Sequence, residues 1–198
     1  MIRDFHLADL LTLANGGSGT AALFFAMDHV REAQVGKLYA AGAGVAFALV
    51  FDVMDGRVAR WRHSASPMGR ELDSLADVIS FGVAPAGVAF AAGLTGLWDA
   101  LCLVYFVACG ISRLARYNIT AEAMAAEAGK VTYFEGTPIP TSVVLVALLL
   151  GLARAGRIGD QMLGGVWRIA SFDLHPLALL FVLSGSLMIS KTLRIPKP

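Results

Sequence analysis

Six mainly apolar stretches, separated by polar breaks, run the length of the chain. They cover about residues 10–27, 38–53, 75–92, 97–111, 138–155 and 176–193. The second continues into a polar extension that ends near His63, the third begins polar near Gly69, and the fourth trails into a polar tail reaching Asn118. Most stretches are apolar all round and rich in Gly and Ala, as suits helices packed closely in lipid. Several approach the 17–25 residues that cross a bilayer. Only helices or closed barrels satisfy the backbone in lipid, and these runs are too long for barrel strands. The pattern therefore predicts an all-α integral membrane protein: six transmembrane helices preceded by a short interfacial N-terminal segment. No internal repeat or low-complexity linker divides it, so residues 1–198 read as a single domain.

Composition agrees. Of the 198 residues, 57% are hydrophobic and 16% charged, against roughly 25% charged in soluble domains. The net charge of +1 provides no basic excess for neutralising phosphates, so nucleic acid is not an expected partner. Residues 1–14 carry Asp4 and Asp9 and lack the plan of a cleavable signal peptide. Basic residues orient the bundle. With both termini cytoplasmic, eleven of the 16 Lys and Arg residues fall inside and five outside, although Arg154, Arg157 and Arg168 oppose the trend. Both polar helix extensions then face the cytoplasm, and so does any site built from them. The natural setting is the cell inner membrane or its equivalent.

Candidate chemistry lies between the second and third stretches. Asp52 and Asp55 are three residues apart and Asp73 and Asp77 four apart, so each pair shares a helix face. Ionised side chains beside apolar runs are costly and mark function by default. Four converging anions require cations between them, and hard oxygen ligands suit magnesium or manganese. The alternative is a set of helix caps and boundary charges, with Asp73 capping a helix after the turn-like SASPMG. Gly56 and Ala59 continue the face of the first pair, Gly69 precedes Asp73 by four, and Arg60 is placed to meet a phosphate.

The stretch resembles the CDP-alcohol phosphotransferase signature, matched by Asp52, Asp55, Gly56, Ala59, Arg60, Gly69, Asp73 and Asp77 with no element missing. The family's six-helix plan extends the resemblance over nearly the whole chain. It implies two divalent cations, Mg2+ or Mn2+, bridged by Asp52 and Asp73, with Asp55 completing one site and Asp77 the other. Asp77 is also the implied general base, a role that needs one of its oxygens free. Gly56, Ala59, Arg60 and Gly69 would contact the CDP-lipid, CDP-diacylglycerol, and membrane lipids and a second copy in a homodimer are the other implied partners. Two further regions, residues 73–86 and residues 112–142 with SRLARYN and YFEGTPIPTS, resemble the phosphatidylserine synthase branch and imply L-serine as acceptor.

Serine brings a carboxylate and an ammonium, so a selective site should offer both charges. Arg113 and Arg116 are candidates for the carboxylate, or for snorkelling to anionic headgroups. Asn118 and Glu135 are candidates for the ammonium, and Glu135 reads equally as a solvated loop residue. Asn15, polar at membrane depth, either contacts the CDP-lipid or bonds to a neighbouring helix. The run Gly16-Gly17-Ser18-Gly19 allows close helix packing and is no phosphate loop, since no Lys-Ser/Thr follows. His6, His29, His63 and His175 show no ligand spacing, Cys102 and Cys109 read as packing residues too far apart for a disulfide, and Trp61, Trp98 and Trp167 read as interfacial anchors. Two rivals stay open: a sister enzyme using glycerol phosphate, inositol phosphate or choline, and a divalent-cation transporter. The transporter predicts acidic residues spread through the membrane depth, whereas these four lie on two neighbouring segments.

Overall fold

The computed structural model describes residues 7–62, 66–127, 133–190, 192 and 194–196. Seven α-helices cover the six apolar stretches: α1 (Leu7–Glu32), α2 (Val35–Arg62), α3 (Pro67–Asp77), α4 (Ala84–Ala92), α5 (Leu97–Glu127), α6 (Ser142–Arg154) and α7 (Ala178–Ile189). Among the described residues, four continuous helical spans are long and apolar enough to cross a membrane: Leu7–Glu32, Val35–Trp61, Met68–Ala92 and Leu97–Ile119. The last two apolar helices, Ile139–Arg154 and Ala178–Ile189, are shorter. The expected interfacial segment falls mostly on residues 1–6, outside the described residues.

Helix α1 shows how this chain inverts a soluble protein's pattern. Its buried stripe is Ala8, Asp9, Thr12, Asn15, Gly19, Ala22, Ala26 and His29, spaced by threes and fours, while Leu10, Leu13, Phe24, Met27 and Val30 face outward. Large apolar side chains on the outer surface and small or polar ones inside suit a helix solvated by lipid. Gly19 makes the packing possible. A Cβ there would lie 2.6 Å from Ser80 Cα, so α1 meets the third span almost backbone to backbone.

That third span is not one regular helix. Ser66 caps α3, its hydroxyl accepting from Gly69 N at 2.9 Å, with Pro67 in the first turn. Asp73 therefore sits in mid-helix and does not cap it. After Asp77 the backbone widens into a π-helix, Val78–Val83, before α4. Pro85, in the first turn of α4, has no N–H to donate and would clash with the carbonyl four residues back in a regular helix. The wide turn, in which Ala84 N bonds Ile79 O, accommodates it directly behind Asp77.

Fully buried Phe81, Phe106 and Phe181 anchor the core. Phe106 on α5 meets Phe181 on α7 edge to face, ring centroids 5.3 Å apart, and Gly185 lets α7 close against Cys109. Both cysteines are free. Two small antiparallel sheets, not expected from the apolar pattern, complete the fold. Strand β1 (Tyr133–Glu135) pairs with β4 (Arg194–Pro196), and β2 (Trp167–Ile169) with β3 (Phe172–Leu174). The β2–β3 hairpin turns through Ala170 and Ser171, both at positive φ, as a two-residue type I′ loop requires. Trp98 donates its indole N–H to Ile169 O at 3.0 Å, tying the hairpin to α5. Beside it, His175 and Asp99 form a buried pair, Nδ1 to Oδ2 at 2.6 Å, and Asp99 also accepts from the backbone N–H groups of His175 and Gly96.

Candidate active site

Helix α1 runs into α2 through Ala33 and Gln34 alone, which makes the two antiparallel and brings the start of α1 beside the end of α2. The third span begins at this same end. Asp52 and Asp55 lie in the last turns of α2, Asp73 and Asp77 in the second half of α3. One carboxylate oxygen from each of Asp52, Asp55 and Asp73 lies within 4.8 Å of the others. Asp77 joins them through side-chain contact with Asp52. Asp55 and Asp77 are buried, and Asp52 and Asp73 half-buried. The four aspartates thus converge from two helices on one small volume.

This donor set fits a divalent cation. Every ligand is a hard carboxylate oxygen, the kind magnesium and manganese take, and without positive charge between them the anions would repel at a depth where solvent screens little.

Helix α1 supplies the supporting contacts. The Thr12 hydroxyl donates to Asp55 Oδ2 at 2.7 Å, and the Asn15 amide donates to Asp77 Oδ1 at 3.2 Å. Ser80 donates to the Asn15 backbone carbonyl at 2.9 Å. Asn15 is fully buried, and its Oδ1 has no partner among the described residues, so that oxygen is open to a donor on a ligand. Two roles are open to Asn15 from the sequence, a lipid contact or a helix-to-helix bond. The second of these is present, and the free oxygen leaves room for the first.

The glycine positions surround the cluster. The Gly56 backbone N–H bonds the Asp55 carboxylate, and the Arg60 guanidinium reaches back to 3.6 Å from where a Gly56 Cβ would stand. Ala59 is half-buried and Arg60 exposed at the helix end. A Cβ on Gly69 would come 2.9 Å from Asp9 Oδ1, so Gly69 keeps the start of α3 against α1.

The acceptor candidates separate. Arg113 is buried and lies close enough to Asp77 for their charges to interact, and its Nε has no partner among the described residues. Arg116 donates to Ile189 O at 3.1 Å, holding the end of α7, while its Nη2 is buried without a partner among the described residues. Asn118 donates to Ser74 Oγ at 3.0 Å and to Glu71 at 3.4 Å, linking α5 to α3 next to Asp73. Glu135 falls in β1, and its side chain lies outside the described residues.

Thr12, Asp9 and Ser80 were not among the expected site residues. A signal for the first two existed: Asp9, Thr12 and Asn15 recur every three residues on an otherwise apolar helix. Ser80 lies within the singled-out stretch 73–86, but its bond to a backbone carbonyl 65 residues away leaves no mark in the local pattern.

Comparison with known proteins places the sequence in a family. Residues 5–184 match the family described as CDP-alcohol phosphatidyltransferase. A CDP-diacylglycerol--serine O-phosphatidyltransferase of Saccharomyces cerevisiae is 42% identical over 201 aligned residues, covering 100% of this chain and 73% of the yeast protein. A protein of the same name from Mycobacterium leprae is 36% identical over 74% of this chain, which spans 47% of its length. An archaetidylserine synthase of Methanothermobacter thermautotrophicus is 36% identical over 71% of this chain and 56% of its own. With the signature aspartates gathered in one site and the match running through nearly the whole chain, the protein belongs to the CDP-alcohol phosphatidyltransferase family.

Proposed function

We propose that the protein transfers a phosphatidyl group from CDP-diacylglycerol to the hydroxyl of L-serine, giving phosphatidylserine and CMP. The observation that carries this reading is the convergence of Asp52, Asp55 and Asp73 within 4.8 Å, in a chain aligned end to end with a relative named for that reaction. The serine hydroxyl adds to the phosphorus that bears the diacylglycerol, the bond from that phosphorus to the CMP oxygen breaks, and the hydroxyl proton passes to Asp77.

Asp52, Asp55, Asp73 and Asp77 would hold two divalent cations, Mg2+ or Mn2+. Such ions, when bound, neutralise the pyrophosphate and the charge gathering on departing CMP. Asn15 donates to one oxygen of Asp77, and the base role requires that an Asp77 oxygen not engaged by a cation face the hydroxyl. Arg113, beside Asp77, is the group best placed to take the serine carboxylate while the hydroxyl faces the base. Arg116 and Asn118, each tied to a neighbouring helix, shape the wall behind it, and Glu135 is the candidate for the ammonium. Gly56, Ala59, Arg60 and Gly69 flank the volume left for the CDP moiety, with Arg60 reaching its phosphates.

In the same reading, all six apolar stretches cross the membrane, both termini and the site face the cytoplasm as the Lys and Arg bias favours, and the protein works as a homodimer. The test is product analysis: purified protein given CDP-diacylglycerol, manganese and isotopically labelled serine, with the lipids resolved by mass spectrometry. Labelled phosphatidylserine is the expected product. Absence of the label, with turnover on glycerol phosphate, inositol phosphate or choline, would overturn the acceptor assignment.

A further inference from the structure

Helix α1 holds none of the four clustered aspartates, though its buried Asp9 lies close enough to Asp55 for their charges to interact, and two of its side chains bond to the cluster directly. Thr12 and Asn15 are three residues apart on the buried stripe of α1, hence neighbours on one face. Thr12 bonds the second aspartate of the α2 pair and Asn15 the second aspartate of the α3 pair. We propose that Thr12 and Asn15 are positioning residues, which orient Asp55 and Asp77 for cation binding from a helix that itself supplies no cluster ligand.

Three features separate this from incidental helix packing. The first concerns the Thr12 hydroxyl, which has one proton and two acceptors in reach. Ala8 O, the usual four-back partner of a helical threonine, is at 3.1 Å, and Asp55 Oδ2 is at 2.7 Å. The shorter contact runs to the charged acceptor, where a hydrogen bond is stronger. The second is Asn15, which is fully buried and keeps an unpartnered Oδ1, an arrangement that is unfavourable unless its N–H group is required where it points. The third is the Ser80 bond to the Asn15 backbone carbonyl, which pins α1 to the π-helix that follows Asp77. Bonds of this kind fix which way a ligating carboxylate faces, and losing one typically weakens metal binding or activity about 10- to 100-fold.

The inference rests on the reading of the four aspartates as a metal site, and the experiment separates the two. Manganese binding to the purified full-length protein in detergent, without substrate, is measured by electron paramagnetic resonance of free Mn2+, with thermal unfolding recorded for each variant. Thr12→Val keeps the shape and removes the hydroxyl, and it is expected to weaken manganese binding about 10- to 100-fold with little change in unfolding temperature. Thr12→Ser restores the hydroxyl and is expected to return the affinity to near the wild-type value. In an Asp55→Asn background, Thr12→Val is expected to add little further loss, because its partner is already altered. Asn15→Leu is expected to weaken binding in the same way, with the loss shrinking in an Asp77→Asn background. Wild-type affinity in Thr12→Val, no rescue by serine, or an undiminished effect of Thr12→Val in the Asp55→Asn background would overturn the positioning role. Failure of the wild-type protein itself to bind manganese would instead overturn the metal-site reading, and the positioning role with it.

Discussion

Gly17 and Gly19 lie two residues apart on α1, and the same substitution should have opposite outcomes at the two positions. A Cβ at Gly17 meets nothing within 4 Å, so Gly17→Ala is expected to be neutral or to stabilise by up to about 1 kcal/mol through helix propensity. A Cβ at Gly19 would sit 2.6 Å from Ser80 Cα, where ordinary contact begins at 3.4 Å. Helix α1 must therefore retreat by about 1 Å, an overpacking cost on the order of 1–3 kcal/mol. A retreat of that size stretches the Asn15–Asp77 bond from 3.2 Å to about 4 Å, beyond hydrogen-bonding length. It loosens the Ser80 bond equally, and each lost bond adds about 1 kcal/mol. A misplacement of about 1 Å at a reacting group can cost roughly 100-fold in rate. The assay is metal-dependent CMP release by each purified variant, alongside thermal unfolding in the same detergent. Gly19→Ala should unfold at a lower temperature and turn over far more slowly, with Gly17→Ala close to wild type. Equal activity and stability in the two variants would refute the claim that close approach of α1 sets up the site.

Other outcomes follow from the same geometry. Asp52→Asn and Asp73→Asn should each abolish CMP release, and recovery on raising the metal concentration would count against bridging roles. Asp77→Asn should keep part of its CDP-diacylglycerol affinity in an equilibrium binding assay while its turnover collapses; a normal turnover number would remove Asp77 as the base. His175→Ala takes away a buried hydrogen-bond partner of Asp99, and leaving that buried polar group short of a partner costs about 1–3 kcal/mol. It should lower the unfolding temperature and leave the turnover number of the folded protein unchanged, because Asp99 opens α5 at the end away from the aspartates. A change in turnover without a change in unfolding would contradict that structural role.

The apolar pattern located stretches that the structure shows as helices, four of them, among the described residues, long and apolar enough to cross a membrane, and the four aspartates were legible because their spacing is local. Features that depend on distant partners were not. Thr12 and Asp55 are 43 residues apart, and His175, which shows no ligand spacing along the chain, pairs with Asp99 across 76. The π-helix carried only an indirect mark, Pro85 inside an apolar run, and that reads as a kink as readily as a widened turn. The β2–β3 hairpin escaped because three-residue strands are too short to show an alternating pattern. Arg113 and Arg116 looked equivalent in sequence, three apart on one helix. The fold distinguishes them by what lies opposite each, Asp77 for one and the end of α7 for the other.

In the proposed function, four aspartates support metal-dependent transfer of a phosphatidyl group to serine. Its most direct test is CMP release from CDP-diacylglycerol by the purified protein, across a panel of alcohols, with magnesium, with manganese and with chelator. Release stimulated by serine alone, and lost on chelation, is the predicted result. Release that persists in chelator, or that no acceptor stimulates, would overturn the proposed function.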